Sequence, residues 1–188
     1  MDRFEEVIKK IEQEHKVKNY WILAKESAQW LGAFLSEGKF KKVVEVGTSV
    51  GYSTLWIARA LAENGGVVVT IESNKERFAK ARENFESAGV TNVMALFDHA
   101  PAVFGRQEFQ DFFTDMDVLF LDCIKKYYKE IYELLANKMK IGSFIVADNI
   151  ISHAKDVADF VEAINSDKRF VVEIKDIGAG VLVARKVI

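Results

Sequence analysis

The residues best suited to chemistry in this 188-residue chain are acids that stand where apolar runs stop. Glu45 follows Val43 and Val44, Glu72 follows Val67–Ile71, Asp98 follows Val93–Phe97, Asp122 follows Val118–Leu121, and Asp148-Asn149 follow Ser143–Ala147. The first belongs to the pattern Glu45-x-Gly47-x-x-x-Gly51, set between a β-branched run and an amphipathic segment (Thr54, Leu55, Ile57, Ala58, Leu61). A strand, a tight glycine turn and a helix let backbone N–H groups approach a ligand closely. Ser49 stands where a dinucleotide-binding loop has its middle glycine. A carboxylate two residues before the first glycine suits a cationic, amine-bearing ligand better than a pyrophosphate. S-adenosylmethionine (SAM), which carries an ammonium and a sulfonium, is such a ligand. The glycines alone fit an ordinary structural corner equally well.

Each further acid has two readings. Glu72 comes about twenty residues after the glycine loop, where an acid can accept both ribose hydroxyls of an adenosine and repel a 2′-phosphate. It can equally cap the helix that follows. Asp98 can receive an adenine amino group or simply end its strand. Asp122, Asp148 and Asn149 would converge at one rim of a sheet, and hard oxygen donors of this kind suit Mg²⁺ or a similar divalent ion. Without a metal they are capping residues. Lys125, three residues beyond Asp122, can point back over the same rim and act as a general base, or stay a solvated surface charge. His15, His99 and His153 lack ligand spacing, and Cys123 has no nucleophile signature around it.

The elements that must position these residues are legible from periodicity. Helices are expected over about 2–16 and from Lys25 to Glu37, the second stopped by Gly38. Strands follow at Val43–Val46, Val67–Ile71, Val93–Phe97, Val118–Leu121 and Ser143–Ala147. Between them lie the helix after the glycine loop, one to about Ala88 opened by the box Ser73-Asn74-Lys75-Glu76, a phenylalanine-rich helical segment (Phe104, Phe109, Phe112, Phe113), and Lys125–Lys138 with Tyr128, Ile131, Leu134 and Leu135 on one side. A helix over about Lys155–Asn165 precedes Phe170–Ile174 and Val181–Arg185, whose five-residue connection forces an antiparallel hairpin. The expected fold class is α/β: one doubly wound, seven-stranded, Rossmann-like sheet of five parallel strands plus that hairpin, with helices on both faces. Ligands of such sheets bind beyond the carboxyl ends of the strands, where the acids lie.

A composition that is 49% hydrophobic suits a single domain spanning 1–188, with the first forty residues as helices covering the cleft. A formal net charge of −2 gives no global basic footprint for nucleic acid. One cysteine excludes an intrachain disulfide framework, and no run reaches membrane-spanning length, so the expected setting is cytoplasmic.

Three segments, in this order, resemble one family. Glu45-Val46-Gly47-Thr48-Ser49-Val50-Gly51-Tyr52-Ser53 resembles the first motif of the class I SAM-dependent O-methyltransferases of the catechol and caffeoyl-CoA type. Leu121-Asp122-Cys123-Ile124-Lys125-Lys126-Tyr127-Tyr128 resembles their D-x-x-K-x-x-Y signature, and Ala147-Asp148-Asn149 their metal-binding pair. The resemblance covers the chain from about Leu23 onward. It implies SAM held by Glu45, Gly47, Ser49, Tyr52, Ser53 and Glu72, with Asp98 or its neighbour near the adenine and Asp122 facing both donor and cation. It further implies a divalent cation, Mg²⁺ by preference, on Asp122, Asp148 and Asn149, with Lys125 as the base. The acceptor implied is a small hydroxylated aromatic; a hydroxylated tRNA base is the second possibility, and a SAM-binding module without turnover a third. Relatives are commonly homodimers. The chain departs from the family pattern at Ile124, at Lys140-Ile141-Gly142, and at Ile177-Gly178-Ala179-Gly180, where a family acid is missing.

Overall fold

Val43, Val68, Val118, Phe120 and Val146 belong to one buried cluster, whereas Val44, Val46, Val69, Ile71, Leu119, Leu121, Ile145 and Ala147 belong to another. This alternation along each strand is what a sheet covered on both faces requires. The computed structural model describes residues 2–188. Its strands are β1 (Lys42–Val46), β2 (Val67–Glu72), β3 (Val93–Phe97), β4 (Val118–Leu121), β5 (Phe144–Ala147), β6 (Phe170–Lys175) and β7 (Val181–Lys186). They form one sheet in the order β3-β2-β1-β4-β5-β7-β6. β1 to β5 pair in parallel, and β7 pairs antiparallel with both β5 and β6. The strand order therefore reverses between β1 and β4, the switch point where doubly wound sheets leave a crevice.

The helices are α1 (Arg3–Val17), α2 (Lys25–Glu37), α3 (Tyr52–Ala62), α4 (Lys75–Ala88), α5 (Tyr128–Leu135) and α6 (Ala158–Ser166). Residues of α1, α2 and α3 fill the first cluster; those of α5 and α6 fill the second. None of the described helices is long and apolar enough to cross a membrane.

Several expectations need correction. The phenylalanine-rich stretch is not an α-helix but two 3₁₀ segments, Ala102–Gly105 and Gln107–Phe112, separated by an extended Arg106. Phe104 and Phe113 are nevertheless buried, their rings 4.8 Å apart and edge-on, so the aromatics pack without helical continuity. α6 starts at Ala158 rather than near Lys155. Leu134 is 45% exposed and lies off the buried side of α5. α2 does end at Glu37 with Gly38 as its cap, as expected, although Gly38 keeps a right-handed conformation and Lys39 (φ +52°) makes the left-handed turn. At α4 the cap is Asn74 alone, its Oδ1 accepting the Arg77 N–H at 3.0 Å.

No residue of α1 or α2 lines the crevice. α1 packs on α3 and α4, and α2 on α3. The Phe4 and Trp56 rings meet edge-on at 5.2 Å, and the Tyr52 hydroxyl donates to Glu12 at 2.8 Å. It is the connector between α1 and α2, through Tyr20, Trp21, Ile22 and Ala24, that reaches the crevice.

Candidate functional site

A pocket of about 600 Å³ opens at the switch point, beyond the carboxyl ends of the parallel strands. Its wall includes Gly47, Ser49, Glu72, Asp98, Asp122, Lys125, Asp148 and Asn149, eight of the residues singled out in the sequence. Glu45, Tyr52 and Ser53 are not part of that wall.

Glu45 lies beneath the loop. It is fully buried, and its carboxylate accepts from Ser53 Oγ (2.5 Å), Thr54 Oγ1 (2.5 Å) and Thr70 Oγ1 (2.6 Å). Ser53 and Thr54 are in the first turn of α3, and Thr70 is the register partner of Glu45 on β2. The single Thr70 proton goes to Glu45, so in the 2.6 Å contact between the two threonines Thr48 is the donor. The Glu45 carboxylate thus staples the start of α3 to the sheet. Burial pushes its pKa up to about 7, against the pull of the three hydroxyls. Tyr52 faces α1 through Glu12, and burial holds its hydroxyl pKa well above the ordinary value.

The loop itself is shaped by three residues of positive φ, Gly47, Ser49 and, at the cap of α3, Gly51 (φ +87°). Gly47 has φ +107°, and a Cβ there would collide with the Asp122 carbonyl, so the position demands glycine. Ser49 takes φ +48° despite its side chain. Its N–H donates to Glu72 Oε2 (2.8 Å) and its Oγ to the Tyr20 carbonyl (2.5 Å), which locks the loop to β2 and to the α1–α2 connector.

At the β2 end, Glu72 is only 5% exposed. Besides Ser49 it accepts from Asn74 N (2.7 Å) and pairs with Arg77 Nη2 (3.1 Å). Arg77 lines the same wall, with its guanidinium carbon 5.8 Å from the Trp21 ring centre, and was not anticipated. A cation in the first turn of a helix opposes the helix dipole, and that local mismatch was the available signal. Asp98 is held by Arg106 through Nη2 (3.0 Å) and Nε (2.8 Å).

The rim made by β4 and β5 is different. Lys125 Nζ donates to Asp122 Oδ1 (3.1 Å), to the Cys123 carbonyl (3.0 Å) and to the Tyr128 hydroxyl (3.1 Å). Asp148 is 2% exposed, and its Oδ1 is buried with no hydrogen-bond partner. Burial raises the pKa of both aspartates. The Asp122 charge raises that of Asp148 further, while Lys125 and His153 pull that of Asp122 down. Asn149 adopts φ +65°, a conformation asparagine tolerates better than most residues. Among the described residues no three His, Cys, Asp or Glu side chains converge as a metal cluster. What the rim offers a hard cation is two mutually repelling carboxylates, one with an orphaned oxygen, and the Asn149 amide. That donor set fits such an ion. Cys123, its thiol pKa raised by burial to about 12, is a wall and not a nucleophile.

The chain matches the family model described as O-methyltransferase over residues 3–187. It is 32% identical over 132 residues to a catechol O-methyltransferase of Niastella koreensis, covering 69% of this chain and 59% of that protein. To a caffeoyl-CoA O-methyltransferase of Populus kitakamiensis it is 28% identical over 180 residues, covering 86% and 76%. The fold is shared with an O-methyltransferase from Bacillus cereus solved in complex with SAH, at TM-score 0.83 and 22% identity over 99% of this chain and 91% of that one. With nearly its whole length matched, this chain belongs to the O-methyltransferase family.

Proposed function

We propose that this protein is a SAM-dependent O-methyltransferase acting on a hydroxyl of a small aromatic acceptor beside a divalent cation. The observation that carries the reading is the buried, unpartnered Oδ1 of Asp148, next to Asp122 and Lys125 in the same pocket as Glu72 and Asp98. A carboxylate oxygen removed from water and given no donor is costly unless a ligand completes it.

The residues divide the pocket between two guests. Glu72 and Asp98 keep acceptor capacity for a ribose diol and an adenine amino group, and Gly47 and Ser49 lie between them and the β4 rim. Asp122, Asp148 and Asn149 would hold the cation, which lowers the pKa of an acceptor hydroxyl and supplies no redox chemistry. Lys125 takes the hydroxyl proton as the oxygen displaces the sulfur from the methyl carbon. Val46, Ile22, Ile71, Ile124 and Tyr127 give the wall an apolar surface for a flat ring. Most of the rate gain comes from holding both reactants in line.

The test is methyl transfer from radiolabelled SAM to a panel of catechols, phenolic acids and unmodified tRNA, with Mg²⁺ and with a chelator. Metal-dependent methylation of a small phenol is expected. Transfer to tRNA alone would replace the acceptor, and SAM binding without transfer to anything would leave a binding module.

A further inference from the structure

Among the described residues Tyr128 has the only hydroxyl bonded to Lys125, and it makes three contacts at once. It accepts from Lys125 Nζ at 3.1 Å and faces the carbonyls of Leu121 (3.0 Å) and Asp148 (3.2 Å). Those carbonyls belong to the last residue of β4 and the residue just after β5. The hydroxyl has one proton, which the two carbonyls share, and its lone pairs are left for the ammonium. The residue is completely buried, with its ring edge-on to Phe160 at 5.6 Å. The Lys125 ammonium also lies 5.2 Å from the centre of the Tyr128 ring.

A lysine side chain has four rotatable carbons, so one partner does not fix its nitrogen. Here Asp122 Oδ1, the Cys123 carbonyl and the Tyr128 hydroxyl approach it together. Of these, Tyr128 alone is anchored to both strand ends that carry the aspartates. We infer that Tyr128 is a positioning residue: its hydroxyl fixes the Lys125 nitrogen over the rim and registers it against the ends of β4 and β5. This rests on the reading of Lys125 as the base. The contribution is to aim, and the ring oxygen takes no proton from the acceptor.

The experiment is a double-mutant cycle in single turnover with radiolabelled SAM, using Lys125→Met, Tyr128→Phe and the pair. Tyr128→Phe removes one oxygen and keeps the ring on Phe160. It is expected to lower the methyl-transfer rate roughly 10- to 100-fold, the loss a small misplacement causes, while SAH affinity stays within about twofold. In the Lys125→Met background the same change should cost nothing further, because there is no nitrogen left to aim. Tyr132→Phe, one turn along α5 and bonded to Asp167 away from the pocket, controls for the loss of a buried hydroxyl and should keep the rate. If Tyr128→Phe multiplies with Lys125→Met, or leaves the rate unchanged, the inference is overturned. If Lys125→Met itself keeps the rate, the base assignment fails instead. Should Tyr128→Phe not fold, ¹⁵N relaxation of the lysine ammonium groups in the unaltered protein decides. Lys125 Nζ is expected to be ordered, and a nitrogen as mobile as that of exposed Lys126 overturns the proposal.

Discussion

Glu45 and Asp148 are both buried acids at the carboxyl end of the parallel sheet, and their surroundings are opposite. Glu45 has three hydroxyl donors from its own chain, all within 2.6 Å. Asp148 has one oxygen with no partner and a second carboxylate close enough to repel it. In both cases burial makes the charge costly. Only at Glu45 does the protein complete the offset itself, by tying down α3. At Asp148 no donor of the described residues completes it, and on that the proposed cation site rests. A buried carboxylate whose lone pairs are filled is structural, and one that is left short marks where a ligand belongs.

The largest effect is expected at the open rim, where Lys125→Met should lower kcat by roughly 100- to 10,000-fold with SAM affinity retained. Steady-state rates together with calorimetric SAM titration check this, and a variant that loses both in parallel would place Lys125 among the cofactor contacts.

The closed acid should instead show itself in stability against pH. Folded Glu45 holds a proton up to about 7, against 4.5 for the ordinary group, so between those values the folded state binds the extra proton. Stability therefore falls as pH rises through that window. Glu45→Gln has no proton to lose, and the stability difference should move in its favour by up to about 3 kcal/mol between about pH 4 and pH 8. Denaturant midpoints across the range measure it; a flat difference would mean that the hydroxyls keep Glu45 ionised throughout.

The open acids should respond to metal. Mg²⁺ at about 100 times its dissociation constant should stabilise the chain by about 2.7 kcal/mol. Asp148→Asn should abolish that gain and, with chelator present, unfold at a higher temperature than the unaltered chain, because a repulsive buried pair has been relieved. A thermal shift that survives Asp148→Asn would move the cation elsewhere. The smallest effect is expected at the β2 end. Glu72→Gln should weaken SAM binding roughly tenfold, since it removes one charge-assisted pair to the ribose and loosens Arg77. Unaltered affinity would assign Glu72 to holding Ser49 and Arg77 only.

Much of this was legible in the sequence because each buried strand is a continuous apolar run, and the acids stand where those runs stop. Asp122, Asp148, Asn149 and Lys125 were found in that way, and the structure brings them to one wall. What periodicity could not carry was the direction in which each acid faces. Glu45 shares a sheet face with Val43, so its parity pointed under α3, but the glycine pattern drew attention to the loop instead. The roles of Thr54 and Thr70 depend on a contact between β1, β2 and α3 that no local window contains. Arg77 did carry a local signal, a cation in the first turn of α4, and its partner Glu72 is only five residues back across the turn. The 3₁₀ segments were misread because aromatic spacing alone does not distinguish a helix from two short turns packed on a sheet.

The most direct measurement is a crystal structure grown with SAH and Mn²⁺, with anomalous scattering used to locate the metal. The account predicts a peak bound by Asp122 and Asp148 with Asn149 beside it, the nucleoside on Glu72, and Glu45 still closed by its three hydroxyls. No peak at that rim, in a protein whose methyl transfer is unaffected by chelator, would contradict it.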